Sequence, residues 1–75
     1  MKTYYERIRE LRQDEDISQQ ELGEALGISQ HTISQYELHH RRPDPETIIA
    51  LAKFFNVSTD YLLGVTNTRN KFPEY

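Results

Sequence analysis

The sequence predicts an all-α domain of five short helices. Apolar residues recur at spacings of three and four in successive segments of the 75-residue chain, and this is the period of one face of a helix. Most of these segments begin at a serine or aspartate that can cap a helix, and several stop at a glycine. No segment of useful length alternates with a period of two, so we expect no sheet.

The first two helices are predicted from an apolar face and a capping pattern. The first, α1, runs from about Tyr4 to Asp14, because one face of that segment is apolar: Tyr4, Ile8 and Leu11. The second, α2, begins at Gln19, since Ser18 and Glu21 have the spacing of a capping box. Its apolar face comprises Leu22, Ala25 and Leu26.

A tight turn joins α2 to the next helix. Gly27 ends α2, because glycine adopts the left-handed conformation without a Cβ penalty. Ser29 is then a suitable N-cap for the third helix, α3, which begins near Gln30 and has Ile33 and Tyr36 on its inner face. A turn this short forces the two helices to cross steeply, so the outer face of α3 should project from the domain.

The last two helices also begin at N-cap residues. Asp44 and Pro45 start the fourth, α4, with the proline at the first helical position. Its apolar stripe comprises Ile48, Leu51, Ala52 and Phe55, widened by Ile49 and Phe54. Ser58 caps a fifth helix, α5, from Thr59 to Leu63, and Gly64 ends it.

Length and composition limit the class of protein. We expect one domain over residues 1–64 and a tail over residues 65–75 that is flexible or in a dimer contact. The chain has no cysteine, which excludes disulfides and a thiolate zinc site. Its longest apolar run, residues 48–52, is too short to cross a bilayer, and no apolar segment follows the first three residues. We therefore expect a cytoplasmic protein with no membrane partner.

The charges are separated along the chain. The net charge of −3 argues at first against a polyanionic partner. However, residues 13–24 contain five acidic residues and no basic one, whereas residues 28–42 contain two arginines, three histidines and one acid, Glu37. The less acidic segment is the one that includes α3.

The outward face of α3 has side chains that can read base edges. It would present Gln30, His31, Ser34 and Gln35, with neither lysine nor glutamate among them. Glutamine can pair with adenine N6 and N7, and histidine or serine can donate to or accept from several bases. The same residues could instead form an ordinary solvated face, and the helix-turn-helix context favours the first interpretation.

Residues 7–64 resemble the Cro and cI-like helix-turn-helix repressors, a five-helix family of phage and bacterial regulators with the lambda-repressor-like fold. The matching runs are RIRELRQDEDISQQELGEALGISQHTISQYE and RRPDPETIIALAKFFNVSTDYLLG. The family patterns within them are S-Q-x-E-L, then G-[IV]-S, then T-I-S-x-[WY]-E. The resemblance implies a cytoplasmic, nucleoid-associated regulator of a bacterium or phage.

The resemblance also implies roles for individual residues. Bases would be read by Gln30, His31 and Gln35, with Thr32 and Ser34 nearby. Phosphate contacts would come from Gln19, Ser29, His40, Arg41 and Arg42. A salt bridge would join Arg12 to Glu37, although Arg12 could instead pair locally with Glu15 or Asp16.

Three residues depart from the family pattern. Leu38 and His39 stand where a small polar residue and a glycine are usual, and histidine tolerates a positive φ better than most residues. Gly23 stands where alanine is usual, which keeps a close helix contact but costs α2 roughly 1 kcal/mol. Adjacent His39 and His40 cannot easily direct both rings to one ion, so we expect no metal.

These observations predict a sequence-specific DNA-binding regulator, a homodimeric repressor whose recognition helices enter successive major grooves of a pseudo-palindromic operator. With no room for a separate dimerisation domain after residue 64, the expected contacts are Tyr61, Leu62, Val65 and Phe72. No cofactor or enzymatic activity is expected, since no nucleophile pattern or phosphate loop is present. The alternatives are a protein-interaction module of the same fold that has lost DNA binding, and a DNA-binding antitoxin with a toxin partner.

Overall fold

A computed structural model describes residues 2–73, and within that range it contains five helices and no strand. The helices are α1 Tyr4–Asp14, α2 Gln19–Leu26, α3 Gln30–Glu37, α4 Pro45–Phe55 and α5 Thr59–Leu62. The predicted all-α fold class is confirmed, and only the end of α5 moves, by one residue. In the described part of the chain, no helix combines the length and the apolar character that a membrane span requires.

Every helix contributes to one core. Its buried apolar residues are Ile8, Leu11, Leu22, Ile33, Tyr36, Ile48, Leu51, Ala52, Phe55, Val57 and Leu62. Three residues predicted on apolar faces are exposed instead: Ala25, Ile49 and Phe54. In α2 the buried face centres on Leu22 and Gly23, which leaves Ala25 at its edge, and in α4 Ile49 and Phe54 flank the buried stripe on opposite sides.

The predicted N-caps are formed. The side chains of Ser18, Ser29, Asp44 and Ser58 each accept a hydrogen bond from the backbone N–H three residues ahead. At Asp44 a hydrogen bond from the Thr47 side chain, together with this backbone bond, holds the pKa of the carboxyl group below its usual value. The caps fix where four of the helices begin.

All five helices end with the same backbone closure. A residue with positive φ donates its N–H to the carbonyl three residues back, and the next residue donates to the carbonyl five residues back. This is the Schellman motif. The positive-φ residues are Asp16, Gly27, His39, Asn56 and Gly64. The sequence predicted the two glycine positions, while the other three use residues that tolerate this conformation.

The tail packs back onto the domain. The Ser58 N–H donates to the Asn70 carbonyl at 2.9 Å, and the Phe72 N–H donates to Asn56 Oδ1 at 3.3 Å. Phe72 is half-buried against the core, with the Lys53 ammonium 5.7 Å from its ring centroid. Residues 65–73 therefore follow a defined path beside α4 and α1.

Candidate nucleic-acid interface

The outward face of α3 carries the predicted base-reading side chains. Gln30 and His31 are exposed, and Ser34 and Gln35 are half-buried. On the opposite side Ile33 and Tyr36 are buried in the core. Within residues 2–73 neither glutamine amide forms a hydrogen bond, so the donors and acceptors of both remain available to a partner.

The two hydroxyl groups at the start of α3 bond to each other. Ser29 Oγ accepts from the Thr32 N–H at 3.1 Å and lies 2.9 Å from Thr32 Oγ1. Thr32 is half-buried, whereas Ser29 is exposed. The structure thus brings Thr32 to the cap of the helix, at the edge of the outward face rather than at its centre.

The turn before α3 depends on two glycines for different reasons. Gly27 has a φ of 70° and no atom within 4 Å of the place where a Cβ would lie, so only its backbone conformation favours glycine. Gly23 is buried, and a Cβ there would collide with the carbonyl oxygen of Ile28. The Ile28 N–H in turn donates to the Gly23 carbonyl at 2.8 Å. The missing side chain at Gly23 lets the turn fold closely over α2.

A bidentate ion pair fixes α3 against α1. Arg12 Nε donates to Glu37 Oε2 at 2.7 Å, and Arg12 Nη2 donates to Glu37 Oε1 at 3.0 Å. The two side chains are only 14 % and 4 % exposed. The bond to Glu37 raises the pKa of Arg12 above its ordinary value. The local alternatives with Glu15 and Asp16 are not formed, because Arg12 Nη1 instead donates to the Ile17 carbonyl at 2.9 Å.

The predicted phosphate contact Gln19 belongs to the same network. Its Nε2 donates to Glu37 Oε1 at 3.2 Å, and the side chain is half-buried at the start of α2. One N–H of the amide is therefore engaged, which leaves the second N–H for a phosphate. Sequence reasoning did not anticipate that this amide would join α2 to the ion pair.

The loop after α3 begins with a left-handed residue, His39, at the position where the family pattern has glycine. His39 has a φ of 61°, and its ring stacks on Tyr5 with centroids 4.3 Å apart and an interplanar angle of 14°. The next three residues, His40, Arg41 and Arg42, are exposed. Within residues 2–73 no three histidine, aspartate or glutamate side chains gather into a cluster that could hold a metal ion.

The four predicted dimer contacts differ in exposure. Val65 is 64 % exposed, while Phe72 and Tyr61 are half-buried. The prediction for Leu62 is wrong, because its side chain is 0 % exposed and completes the core of the single chain. Its neighbour Leu63, which is 45 % exposed, occupies the surface instead.

Arg7 is a buried side chain of α1 that is not part of the apolar face predicted for that helix. It is 3 % exposed, and its Nη1 donates to the carbonyls of Tyr61 at 2.7 Å and Thr66 at 2.8 Å. Its Nη2 donates to Asn67 Oδ1 at 2.8 Å, and its guanidinium carbon lies 3.9 Å from the Tyr61 ring centroid. Backbone carbonyls have no sequence signature, so no spacing could have revealed these partners.

Residues 8–62 match the sequence model of the helix-turn-helix family. The chain belongs to that family. Among curated helix-turn-helix proteins, the transcriptional regulator ImmR of Bacillus subtilis (strain 168) is 42 % identical over 65 residues, which is 87 % of this chain and 51 % of ImmR. Repressor protein C2 of Salmonella phage P22 is 43 % identical over 58 residues, 77 % of this chain and 27 % of C2. The chain thus spans about half the length of ImmR.

A solved repressor structure shares the fold of this chain. It is the crystal structure of the P22 c2 repressor protein in complex with synthetic operator 9T in the presence of Tl+. It matches with a TM-score of 0.78 and 40 % identity, covering 84 % of this chain and 96 % of that chain. The sequence-based resemblance to helix-turn-helix regulators is confirmed.

Proposed function

We propose that this chain is the DNA-binding part of a transcriptional regulator, a homodimeric repressor that reads the major groove with α3. The main support is the outward face of α3, where the side-chain amides of Gln30 and Gln35 form no hydrogen bond within residues 2–73. A likeness to a repressor crystallised on its operator supports the proposal. This function implies a location in the cytoplasm, on the nucleoid.

In this proposal the bases are read by amides and an imidazole. Gln30 and Gln35 each can bond N6 and N7 of an adenine, and His31 donates to or accepts from a neighbouring base. The Ser34 hydroxyl lies on the same face and Thr32 at its edge. Each well-formed bidentate contact discriminates against the wrong base by about 1 to 3 kcal/mol.

Contacts to the DNA phosphate backbone come from residues at both ends of α3 and at the start of α2. Arg41 and Arg42 are exposed directly after α3, next to His40. Ser29 and the free N–H of Gln19 complete the set on the other side. Because the chain carries a net charge of −3, we expect weak affinity for random DNA and a steep dependence on salt.

A homodimer supplies the second set of contacts. One copy offers too few base contacts for tight binding, and a two-fold dimer places two recognition helices about 34 Å apart, one turn of the duplex. Val65 and Leu63 are the most exposed apolar residues near α5. Sedimentation of the chain with a selected operator would give two copies per duplex, and Val65→Glu would weaken that assembly without lowering the melting temperature of the free chain.

The proposal is tested by selecting duplexes from a random pool and measuring anisotropy with the selected operator and with a random duplex. Gln30→Ala should cost about 1 to 3 kcal/mol on the operator and little on random DNA. Arg42→Ala should weaken both and reduce the slope of log affinity against log salt by about one. Exposed residues of α1 provide matched controls, Gln13→Ala and Arg9→Ala, for which we expect no specific loss.

The acidic surface favours one other function, a protein-interaction module of the same fold. Five of its twelve acidic residues lie between residues 13 and 24, in the segment that leads into α2 and forms most of it. If no duplex binds even at about 20 mM salt, where phosphate contacts are strongest, that function replaces the repressor. If a toxin binds the chain while DNA binding persists, the repressor is an antitoxin.

A further inference from the structure

We propose that Tyr5 is a positioning residue for DNA binding, because its ring holds His39 and thereby fixes the loop that carries Arg41 and Arg42. This inference rests on the proposed function. It adds a residue of α1 that the outward face of α3 does not include and that no sequence pattern indicated.

The contact is a small aromatic cluster between the start of α1 and the end of α3. The Tyr5 and His39 rings stack, and Tyr4 meets the His39 ring edge-on, with centroids 5.8 Å apart and an interplanar angle of 79°. Tyr4 and Tyr5 also meet edge-on at 5.6 Å. Aromatic pairs prefer these stacked and edge-to-face arrangements. Two tyrosines therefore contact the ring of His39 at the end of α3, while that residue stays exposed.

The loop of residues 40–44, which contains Arg41 and Arg42, is held by few other contacts. The closure of α3 ends with the N–H groups of His39 and His40, and the next cap begins at Asp44. Within residues 2–73 the backbone N–H groups of Arg41 and Arg42 form no hydrogen bond to another backbone group, and neither side chain forms an ion pair. On the α3 side, the stack of Tyr5 on His39 therefore holds a residue that directly precedes this loop.

The backbone at His39 points to the same role. A φ of 61° is the left-handed region, which glycine adopts freely and which costs other residues energy. Glycine could close α3 here with the same two hydrogen bonds, but it could not stack on Tyr5. The imidazole therefore offsets the strain by a contact that glycine lacks, and that contact joins the loop to α1.

Loss of the stack should lower affinity without removing a phosphate contact. A disordered loop must be ordered on binding, and this cost reduces the affinity. An aromatic pair of ordinary strength corresponds to a loss of roughly threefold to tenfold. The salt slope should stay the same, because it counts the phosphates neutralised in the complex rather than the order of the free loop.

The experiment uses Tyr5→Ala, Tyr5→Phe and His39→Gly, with anisotropy on a random duplex across a salt series at pH 8, where an ordinary histidine is neutral. We expect Tyr5→Ala and His39→Gly each to lose roughly threefold to tenfold at constant salt slope, Tyr5→Phe to keep wild-type affinity, and the Ala/Gly double variant to lose no more than either. Asn56→Gly is the glycine control, since it places glycine at another positive-φ helix end without changing charge, and the hydrogen bond that it removes, from the Phe72 N–H, lies in the tail.

A second measurement needs no DNA. The backbone order parameters of Arg41 and Arg42, measured by amide nitrogen relaxation, should fall in Tyr5→Ala and His39→Gly, but not in Tyr5→Phe or Asn56→Gly. If the wild-type chain bound no duplex, the proposed function would fail, and this measurement would still decide whether the stack orders the loop.

Several results would overturn the inference. Unchanged order parameters of Arg41 and Arg42 in both Tyr5→Ala and His39→Gly would mean that the stack does not order the loop. A salt slope reduced by about one in Tyr5→Ala would make Tyr5 itself a phosphate contact. An equal loss in Tyr5→Phe would assign the effect to the hydroxyl group. Because His39→Gly favours the backbone conformation, a general folding defect in Tyr5→Ala alone cannot imitate the expected pair of results.

Discussion

Two arginines of α1, Arg7 and Arg12, join this helix to opposite ends of the molecule with different partners. Arg12 faces the carboxylate of Glu37 and holds the helix-turn-helix unit. Arg7 faces two backbone carbonyls, an amide oxygen and a tyrosine ring, and it holds α5 and the tail. Each guanidinium group donates three hydrogen bonds within the described residues, but only Arg12 has a counter-charge among its acceptors.

The difference shows two ways of burying a cation. For Arg12 a single acid offsets most of the loss of hydration, so removing that acid leaves a charge without compensation. For Arg7 the compensation is divided among dipoles, one of which is the Tyr61 carbonyl at the C-terminal end of α5, where a helix carries partial negative charge. Its buried Nε has no partner within the described residues. Arg7 therefore depends on the position of the tail rather than on one residue.

The largest expected effect is that of Glu37→Ala, which leaves Arg12 buried without its acid. We expect a loss of about 3 kcal/mol in the free energy of unfolding, as for other broken buried pairs. Urea denaturation measures it. Asp14→Ala is the control, because Asp14 pairs with Arg69 at 3.3 Å on the surface, and exposed pairs contribute about 0 to 1 kcal/mol.

The double variant Arg12→Met/Glu37→Met sharpens this prediction. Replacement of both partners by apolar side chains removes the uncompensated charge, so much of the stability lost in Glu37→Ala should return. If the double variant were as unstable as Glu37→Ala, the loss of stability would come from the lost geometry of the ion pair and not from an uncompensated charge on Arg12.

The next largest effect is expected for Arg7→Met, which removes the donors to the tail and to α5. Hydrogen bonds from charged groups contribute about 1.5 to 3 kcal/mol, so we expect a loss of about 2 kcal/mol. Arg7→Lys should recover little, since a point charge cannot reach three separate acceptors as the planar fork does. Arg9→Met, on an exposed position of α1, should change stability by less than about 0.5 kcal/mol. Equal losses for Arg7→Met and Arg9→Met would contradict the buried role.

A smaller effect separates the two glycines that end α2 and α5. Gly64 has a φ of 82°, and a Cβ there would collide with the Lys2 carbonyl oxygen, whereas Gly27 has open space. Gly27→Ala should cost about 1 kcal/mol from the left-handed conformation alone. Gly64→Ala should cost more, about 2 kcal/mol, because the contact adds to the same conformational cost. Thermal unfolding of the two variants compares them, and an equal shift would show that the N-terminal segment yields freely.

The sequence predicted what local chemistry determines. Helix starts at Ser18, Ser29, Asp44 and Ser58 follow from side chains that cap the backbone next to them. The pairing of Arg12 with Glu37 was available only through the resemblance, because the two residues are 25 positions apart.

The sequence did not predict contacts whose partners have no characteristic residue type or spacing. Arg7 bonds carbonyls that every residue has, and the stack of Tyr5 on His39 joins two rings that no periodicity relates. Ala25 is exposed because α2 packs through the face that contains Leu22 and Gly23. Leu62 is buried because α5 packs against the core through that residue. These are tertiary outcomes that periodicity within one helix does not encode.

The shared closure of the five helix ends has a consequence for the order of folding. Each closure joins residues no more than five apart, so it can form as soon as its own helix does. The hydrogen bonds of Arg12 to Glu37 span 25 positions, and those of Arg7 span 54 to 60 positions. These bonds can form only after the helices have packed together. Because the helix ends form locally and few side-chain hydrogen bonds join distant positions, the chain should fold on the microsecond to millisecond timescale of small helical proteins. The tail should be the last part to reach its native position.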